Sequence, residues 1–560
     1  MEFPRLPVEL LEEIVGYLEP LEILAARQLS RQFRSLVDES TALQLRIEAH
    51  ADGYILQRSS TRSSGGITAK ELLDALRGMR ECSRRLGPRQ ILRYGCPFND
   101  ELAFEICDST WGHTLRAPTR SFRALNYIHL APLPSQGKDV HCFPEPLPLP
   151  RPGIDHSNLS VEIIDFTFMV GCDLQVLLES IEDGHARLHF RSISSDQPHP
   201  LAARPIIDVP DRTTQEHRGC DMLLYESRIA LTYLRWTRHA GELGGVSVWD
   251  WKTGENLLDY RPAIDAAFLP HDQMLLLYDA DAEGPARFSV YSFREGSVTH
   301  VLQLPLDRPI SFGILLTHPS NHYGSNAPTS VNKLLKTDPE TDIILMELRL
   351  TAPDSGLFRV AISIGRLLKA CIPKTEYELE QDEPGTPKVL RWRHWGINAT
   401  RWFTPYSLMR TSVRSTYGSR FLAFGRPNSF QGDDTSLQYP WSRDDWPTLQ
   451  GGRILLFDFN PRAIRRDMGG NSIHGDQSFV YTEPTLWDSD RPHTRKVLSA
   501  LPFRVTTSPK NWDYHHIYMN GSTLFARRDH YYDVFSFLPW REGDLELQMD
   551  KHPLRPANVI

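Results

Sequence analysis

Residues 246–258 read Val-Ser-Val-Trp-Asp-Trp-Lys-Thr-Gly-Glu-Asn-Leu-Leu. Bulky residues alternate from Val246 to Trp251, the two-residue period of a strand whose side chains point to opposite faces, and a Lys-Thr-Gly turn follows. The signature returns at Leu188–Ile193, Phe288–Phe293, Phe358–Ile362, Ile454–Phe459 and Asp533–Phe537. Apolar runs precede several copies, such as Met222–Tyr225 with Ile229–Leu234, and Met274–Tyr278. Trp251 and Phe293 stand about 42 residues apart, inside the span of roughly 40 to 50 that one propeller blade occupies. From about residue 154 onward the chain reads as short strands between Gly-, Asp-, Pro- and Ser-rich loops.

The 246–258 segment resembles the end of a WD-repeat blade, with Trp249-Asp250 ahead of the turn. The other copies depart from that consensus, so the resemblance implies a degenerate propeller. Longer intervals hold candidate insertions at Thr317–Asn332, Glu378–Lys388 and Asn428–Gly452. Strands near Ala103–Cys107 and Arg123–Leu130 would complete a seventh blade. Six to eight blades are expected, with an irregular β-sandwich or two smaller β-domains as the alternative. Between Pro132 and Gly153 the density of Pro excludes a regular helix or a central strand and predicts a surface loop or, less simply, a polyproline ligand.

The N-terminal stretch Phe3–Val37, FPRLPVELLEEIVGYLEPLEILAARQLSRQFRSLV, has a different period. Pro7 suits a helix start, Glu9, Glu12 and Glu13 favour the positive end of the helix dipole, and Leu10, Leu11, Ile14, Val15 and Leu18 recur at three- and four-residue spacings. Pro20 opens a second helix with Leu21, Leu24 and Ala25 on one side, and Ser30 can cap a third that aligns Phe33, Leu36 and Val37. Any single stripe of Leu is more plainly a hairpin packed on its own protein. The combination resembles the F-box pattern at Leu6, Pro7, Leu10, Ile14, Leu18, Leu21, Leu24, Arg27, Leu29, Ser30 and Leu36. In that family the Leu-Pro pair and the apolar positions after it bind a Skp-type adaptor and, through it, a cullin. The resemblance therefore implies adaptor contact for Leu6, Pro7, Leu10, Ile14, Leu18, Leu21, Leu24, Leu29 and Phe33, the last standing where the family often has Trp.

Thr68-Ala-Lys-Glu71 has the form of a capping box, and Leu72, Leu73, Ala75, Leu76, Met79 and Leu86 continue it as a helix over 69–86. That helix serves either as a stiff spacer or as packing against the next domain. The chain thus reads as an α+β multidomain protein: a three-helix F-box at 1–50, a helical linker at 51–100, a mainly-β, propeller-like domain at 101–545 and a tail at 546–560.

Composition narrows the function. The net charge is −8, and no run of Lys and Arg suits a phosphate backbone, so nucleic acid is not an expected partner. The 7 Cys are irregularly spaced with no C-x-x-C pair, which argues for reduced thiols and against disulfides or structural zinc. Neither a signal peptide nor an apolar run of about eighteen residues is present, so the expected setting is cytoplasmic or nuclear, without a membrane. H-E-x-x-H, G-x-S-x-G, G-x-x-x-x-G-K and G-x-G-x-x-G are all absent, and neither a catalytic residue, a metal nor a cofactor is expected. His515-His516 and His394 read as polar tips or core residues, since neighbours on a strand point to opposite faces. Trp and Arg dominate binding energy at interfaces, so Arg391, Trp392, Arg393, Trp395, Arg401 and Trp402 are the candidate contacts for a target protein, with blade core as the plainer fate of the Trp residues. The expected function is a receptor subunit of an SCF ubiquitin ligase. A non-ligase scaffold is the alternative, and a β-propeller enzyme a more distant one.

Overall fold

The computed structural model describes residues 6–56, 68–88, 90–95, 104–107, 110–114, 125–129, 154–156, 159–180, 186–209, 219–234, 244–279, 285–306, 309–316, 335–351, 357–372, 386–403, 416–425, 452–469, 478–487, 497–512, 514, 516–521, 523–528 and 531–537. The Pro-rich stretch 132–153, the tail 546–560, His515 and all but the last residues of the candidate insertions lie outside these.

Seven sheets of four or five strands follow one another along the chain. Sheets 1 to 7 occupy residues 104–156, 163–209, 219–262, 265–303, 310–403, 416–512 and 516–536; sheet 4 takes Lys388–Leu390 as a parallel fifth strand, and the last sheet is completed by Gln90–Gly95, which pairs antiparallel with Tyr531–Ser536. First strands touch their neighbours: Ile163–Met169 contacts both Phe104–Cys107 and Gly219–Tyr225. Trp111 of sheet 1 meets Tyr532 of sheet 7 at 4.7 Å, which brings the two ends of the ring together. This is the propeller arrangement that the repeated segments predict.

All six repeated segments lie on the third strand of their sheets: Ala186–Ser192, Gly245–Asp250, Arg287–Ser292, Leu357–Ser363, Gly452–Asp458 and Tyr531–Ser536. A third strand has a strand on either side and a sheet against each face, so both of its side-chain rows are buried and bulky. In sheet 3, Val246 and Val248 pack with Ala266, Phe268, Met274 and Leu276 of sheet 4. Trp249 and Trp251 face the other way, onto Val176, Leu188 and Phe190 of sheet 2.

A second repeat is invisible in the residue types. The N–H just past a third strand donates to a carbonyl in or beside the turn between the first and second strands: Ile193 to Asp173 (2.8 Å), Trp251 to Ser227 (2.8 Å), Phe293 to Asp272 (2.9 Å), Ile364 to Asp342 (3.0 Å) and Phe459 to Ser419 (2.9 Å). Asp250 adds a bond from Ser227 Oγ at 2.6 Å, and Asp458 one from Ser419 Oγ at 2.9 Å. Phe457-Asp458 therefore holds the place of Trp249-Asp250, with Phe in place of Trp hiding the match.

Between sheets 4 and 5 the buried Asp265 carboxylate accepts the Leu315 N–H at 2.6 Å, and burial pushes its pKa from 3.8 up to about 8. A carboxyl kept neutral by the fold contributes stability that is full below its unfolded pKa and is lost as pH rises through the folded one. Asp265→Asn keeps the acceptor and removes the charge. We expect it to raise the melting temperature at pH 8.5 and leave it unchanged near pH 4; equal shifts at both pH values would refute this origin.

The N-terminal region departs from the sequence reading first in the number of its helices. Four helices form where three are expected: α1 (Val8–Gly16), α2 (Pro20–Leu29), α3 (Arg31–Glu39) and α4 (Thr41–Ala51). Ser30 caps α3 as anticipated, accepting Phe33 N–H at 3.2 Å, and Ser40 caps α4 in the same way through Leu43 N–H. The fourth helix shows no single apolar stripe because it packs on two sides. Leu43 enters the core of α1 to α3, while Leu45 and Ala49 join Leu72, Leu76 and Met79 of α5 (Ala69–Arg85). The capping box of α5 is present, with both Thr68 and Glu71 bonded. The region 51–100 is more than a helical linker, however: Tyr54–Leu56 pairs with Leu335–Thr337 of sheet 5's first connection, and Gln90–Gly95 belongs to sheet 7.

Among the described residues three short helices interrupt the strands: α6 (Ile364–Cys371), α7 (Trp392–Ala399) and α8 (Pro461–Gly469). Each follows the third strand of sheet 5 or 6, where a repeat without insertions passes straight to the fourth.

Candidate functional site

The apolar residues of α1 divide between two directions. Leu11 and Val15 point into a core with Ile23, Leu36, Val37 and Leu43. Leu10 and Ile14, one helical step away, remain 47% and 42% exposed, and Leu21, Leu24 and Leu29 continue the exposed set on α2. Pro7 is exposed as the N-cap of α1, and its carbonyl accepts the N–H groups of Leu10 and Leu11 at 3.1 Å. Of the nine residues expected at a partner surface, Leu6, Leu18 and Phe33 are instead half-buried against the core and support the face from beneath. The sequence reading missed Val8 and Tyr17, both exposed. Tyr17 was detectable, since it continues the Leu10, Ile14 spacing by three. Exposed Leu, Ile and Tyr recurring along α1 and α2 of so small a unit make these helices the candidate partner surface.

This surface stands on a built mount. Gly53, just past α4, has φ +79°, and a Cβ there would meet Thr341 Oγ1 at 2.9 Å and Asn460 Nδ2 at 3.0 Å. The last carbonyls of α4 are taken by the ring: Asn460 Nδ2 donates to Ala51 O at 3.0 Å and Arg462 Nη1 to His50 O at 3.2 Å. Arg462 also meets Asp338 Oδ2 at 2.6 Å, and Asp338 N–H donates to Gly53 O at 2.8 Å. Behind these runs a ladder of alternating charge. Arg80 of α5 holds Glu48 (2.6 Å) and Asp52 (2.7 Å), and Asp52 also takes Arg466 of α8 at 2.8 Å. Asp467 then joins Arg84 to Arg504, and Arg504 meets Asp458 at 2.7 Å. Burial alone would raise the Asp458 carboxyl, but Arg420 and Arg504 outweigh it and hold it below the usual range. Side-chain and backbone bonds from α4 and α5 to the ring thus join the four helices to it at several points.

The candidate target-contact cluster does not survive as a surface. Trp395, Arg401 and Trp402 are 2%, 1% and 6% exposed, and the two Trp rings belong to the core between sheets 4 and 5. Arg401 donates to Leu501 O (2.8 Å), Glu483 O (3.0 Å) and Thr485 Oγ1 (3.1 Å), a structural tie from sheet 5 to the small two-stranded ladder of Thr485–Trp487 with Val497–Ser499 and the residues flanking it. Trp392 is half-buried against the same core, and only Arg391 and Arg393 reach solvent. His394 is also exposed and accepts a bond from Arg393 Nε at 3.0 Å, while the His516 ring stacks on Tyr518 at 6.1 Å. Among the described residues no three His, Cys, Asp or Glu side chains gather where a metal ion would fit, and no helix is long and apolar enough to cross a membrane.

Comparison with known proteins identifies the helical part. Residues 3–42 match the family described as F-box domain. No curated protein matches this sequence. Among solved structures, the WD40 domain of SCAP from fission yeast is similar at 9% identity and a TM-score of 0.35, over 80% of this chain and 98% of that one. Chaetomium thermophilum Raptor is similar at 9% identity and a TM-score of 0.33, over 91% of this chain and 36% of that one. The fold assignment rests on the strand order given above and not on these likenesses.

Proposed function

We propose that this chain, which carries an F-box domain at residues 3–42 ahead of its ring of sheets, is the target-receptor subunit of an SCF ubiquitin ligase. Its exposed apolar face on α1 and α2 docks on a Skp-type adaptor, which links it to a cullin, and the ring holds a target protein. The observation that carries this reading is that Leu10, Ile14, Leu21, Leu24 and Leu29 are exposed on a unit bonded to the ring at several points. The chain itself has no reacting group in this scheme. It raises the effective concentration of the target beside the ubiquitin-charged enzyme, and proximity supplies the rate.

Leu10, Ile14 and Leu24 are the positions to test, because they are exposed in the free chain and cost little to change there. Burying a Leu- or Ile-sized side chain is worth about 1.5–3 kcal/mol, and an Asp in its place would be desolvated without a partner. Ile14→Asp with Leu24→Asp should lower adaptor capture at least tenfold at unchanged melting temperature, and cullin should be lost with the adaptor. Unchanged capture would refute the docking face. If the intact chain brings down adaptor but no cullin, and no bound protein is lost faster in its presence, the ligase role fails and a scaffold role takes its place.

A further inference from the structure

Five cationic side chains on the short helices beside the mount have no carboxylate partner among the described residues. Arg366 and Lys369 lie on α6, Arg391 and Arg393 at the start of α7, and Arg465 on α8, and none of them forms an ion pair with an acidic side chain among the described residues. On the same α8 helix Arg462 and Arg466 are paired with Asp338 and Asp52. The difference follows the direction each side chain takes: the paired ones face the mount, and Arg465 faces outward.

The five form one strip. Arg366 Nη1 donates to Asn398 O at 2.8 Å, which sets the first turn of α6 beside the last turn of α7; α6 leaves the third strand of sheet 5 at Ser363 while α7 leads into the fourth at Thr400, which pairs with Ile362, so one helix runs away from that sheet end and the other toward it. Lys369, one turn further along α6, therefore lies toward the end of α7 that carries Arg391 and Arg393. At the other end, burial and then the positive charge of Arg465 pull Arg366 below the ordinary arginine range. Arg391 occupies the N-cap of α7, whose start no side chain caps, so the partial positive charge of the helix end adds to the strip. In a chain of net charge −8 these cations thus lie on neighbouring helices without an ion pair among the described residues, the nearby Glu340 being taken by Arg462. Gathered like charges are unfavourable in the free chain and are relieved by an anion.

We propose that this strip docks an acidic peptide segment of a partner protein, a run of Asp and Glu side chains lying along α6 and α7. A nucleic acid fits less well. Trp392 and Trp395, the aromatic rings nearest the arginines, are turned into the core and offer no base a stacking platform, and the net charge of the chain opposes a long polyanion. The connections carrying α6, α7 and α8 emerge on the face of the ring that receives α4, so the segment is held on the F-box side of the molecule. The inference goes beyond the ligase reading and stands without it, because the strip is described by the ring alone.

The test is fluorescence anisotropy of a dye-labelled peptide of alternating Glu and Gly with the full chain at low salt. Binding is expected, with a loss of about tenfold in Arg391→Ala with Arg393→Ala and no loss in Arg294→Ala, an exposed arginine elsewhere on the ring. Both double-variant positions are exposed, so an unchanged melting temperature accompanies the loss. The chain's own acidic run, Glu376, Glu378, Glu380, Asp382 and Glu383, is the competing occupant and is tested by converting those five to amides. Peptide binding by the parent chain that depends on Arg391 and Arg393 supports the proposal. Binding only after the acidic run is neutralised, equal binding by the double variant, or tighter binding of single-stranded DNA than of the peptide would each overturn it.

Discussion

Asp467→Ala should lower the unfolding free energy by about 3–5 kcal/mol, the cost of removing one member of a buried charge pair. The Asp467 carboxylate is 2% exposed and lies between Arg84 of α5 and Arg504 of the Phe503–Trp512 strand, so a single deletion affects both elements. The two arginines are not left in the same state. Arg504 keeps Asp458 at 2.7 Å, whereas Arg84 has no other carboxylate among the described residues and is already pulled down by burial. The energetic loss therefore concentrates at α5, the helix that carries α4 and the F-box. Asp467→Asn restores an acceptor without the charge and should recover part of the loss. Chemical denaturation of the full chain measures both variants, and a change below about 1 kcal/mol for Asp467→Ala would show that the ladder is not cooperative. Hydrogen exchange in α5 provides the local counterpart, with faster exchange there than in the strands of sheets 2 to 4.

What the sequence made legible was whatever is written locally. Thr68 and Glu71 announce α5 by side-chain chemistry within four residues, and the third strands announce themselves because both of their faces are buried. First and second strands are less regular, and the bond from Trp251 N–H to Ser227 O is made by backbone atoms, which leave no residue signature. The exposed face of α1 was half legible. Period alone groups Leu10 with Leu11, and only the presence of α2 to α4 decides that Leu11 is buried and Leu10 is not. Arg401 misled for a physical reason: a buried arginine bonded to three oxygen acceptors and lying 4.9 Å over the Phe503 ring has the same sequence neighbourhood as an interface arginine. The mount was not legible at all. Asp52 and Arg466, or Asn460 and Ala51, lie more than four hundred positions apart, and no local rule joins them.

The closure of the ring was hidden in the same way, and it carries the second large effect. Gln90–Gly95 reads as the end of a linker, yet it zips onto Tyr531–Ser536 with Arg93 directly opposite Asp533. Arg93 grips the Asp533 carboxylate with two bonds of 2.7 Å, and Tyr514 OH donates to it at 2.5 Å, while Asp533 itself is fully buried. Asp533→Ala strands a guanidinium and a buried hydroxyl together, and a loss of about 3–5 kcal/mol is expected. Most of that loss reports an abandoned partner, not the worth of the pair. Adding Arg93→Ala to Asp533→Ala should therefore cost far less than the two single changes summed, with a coupling of about 1–3 kcal/mol between them. Additive losses would mean that Arg93 does not depend on Asp533, and the closing strand would then be held by its backbone ladder alone. Capture of an adaptor by the α1 and α2 face should be unchanged in all three variants at temperatures where the ring stays folded, because the face is built from residues that touch neither side chain.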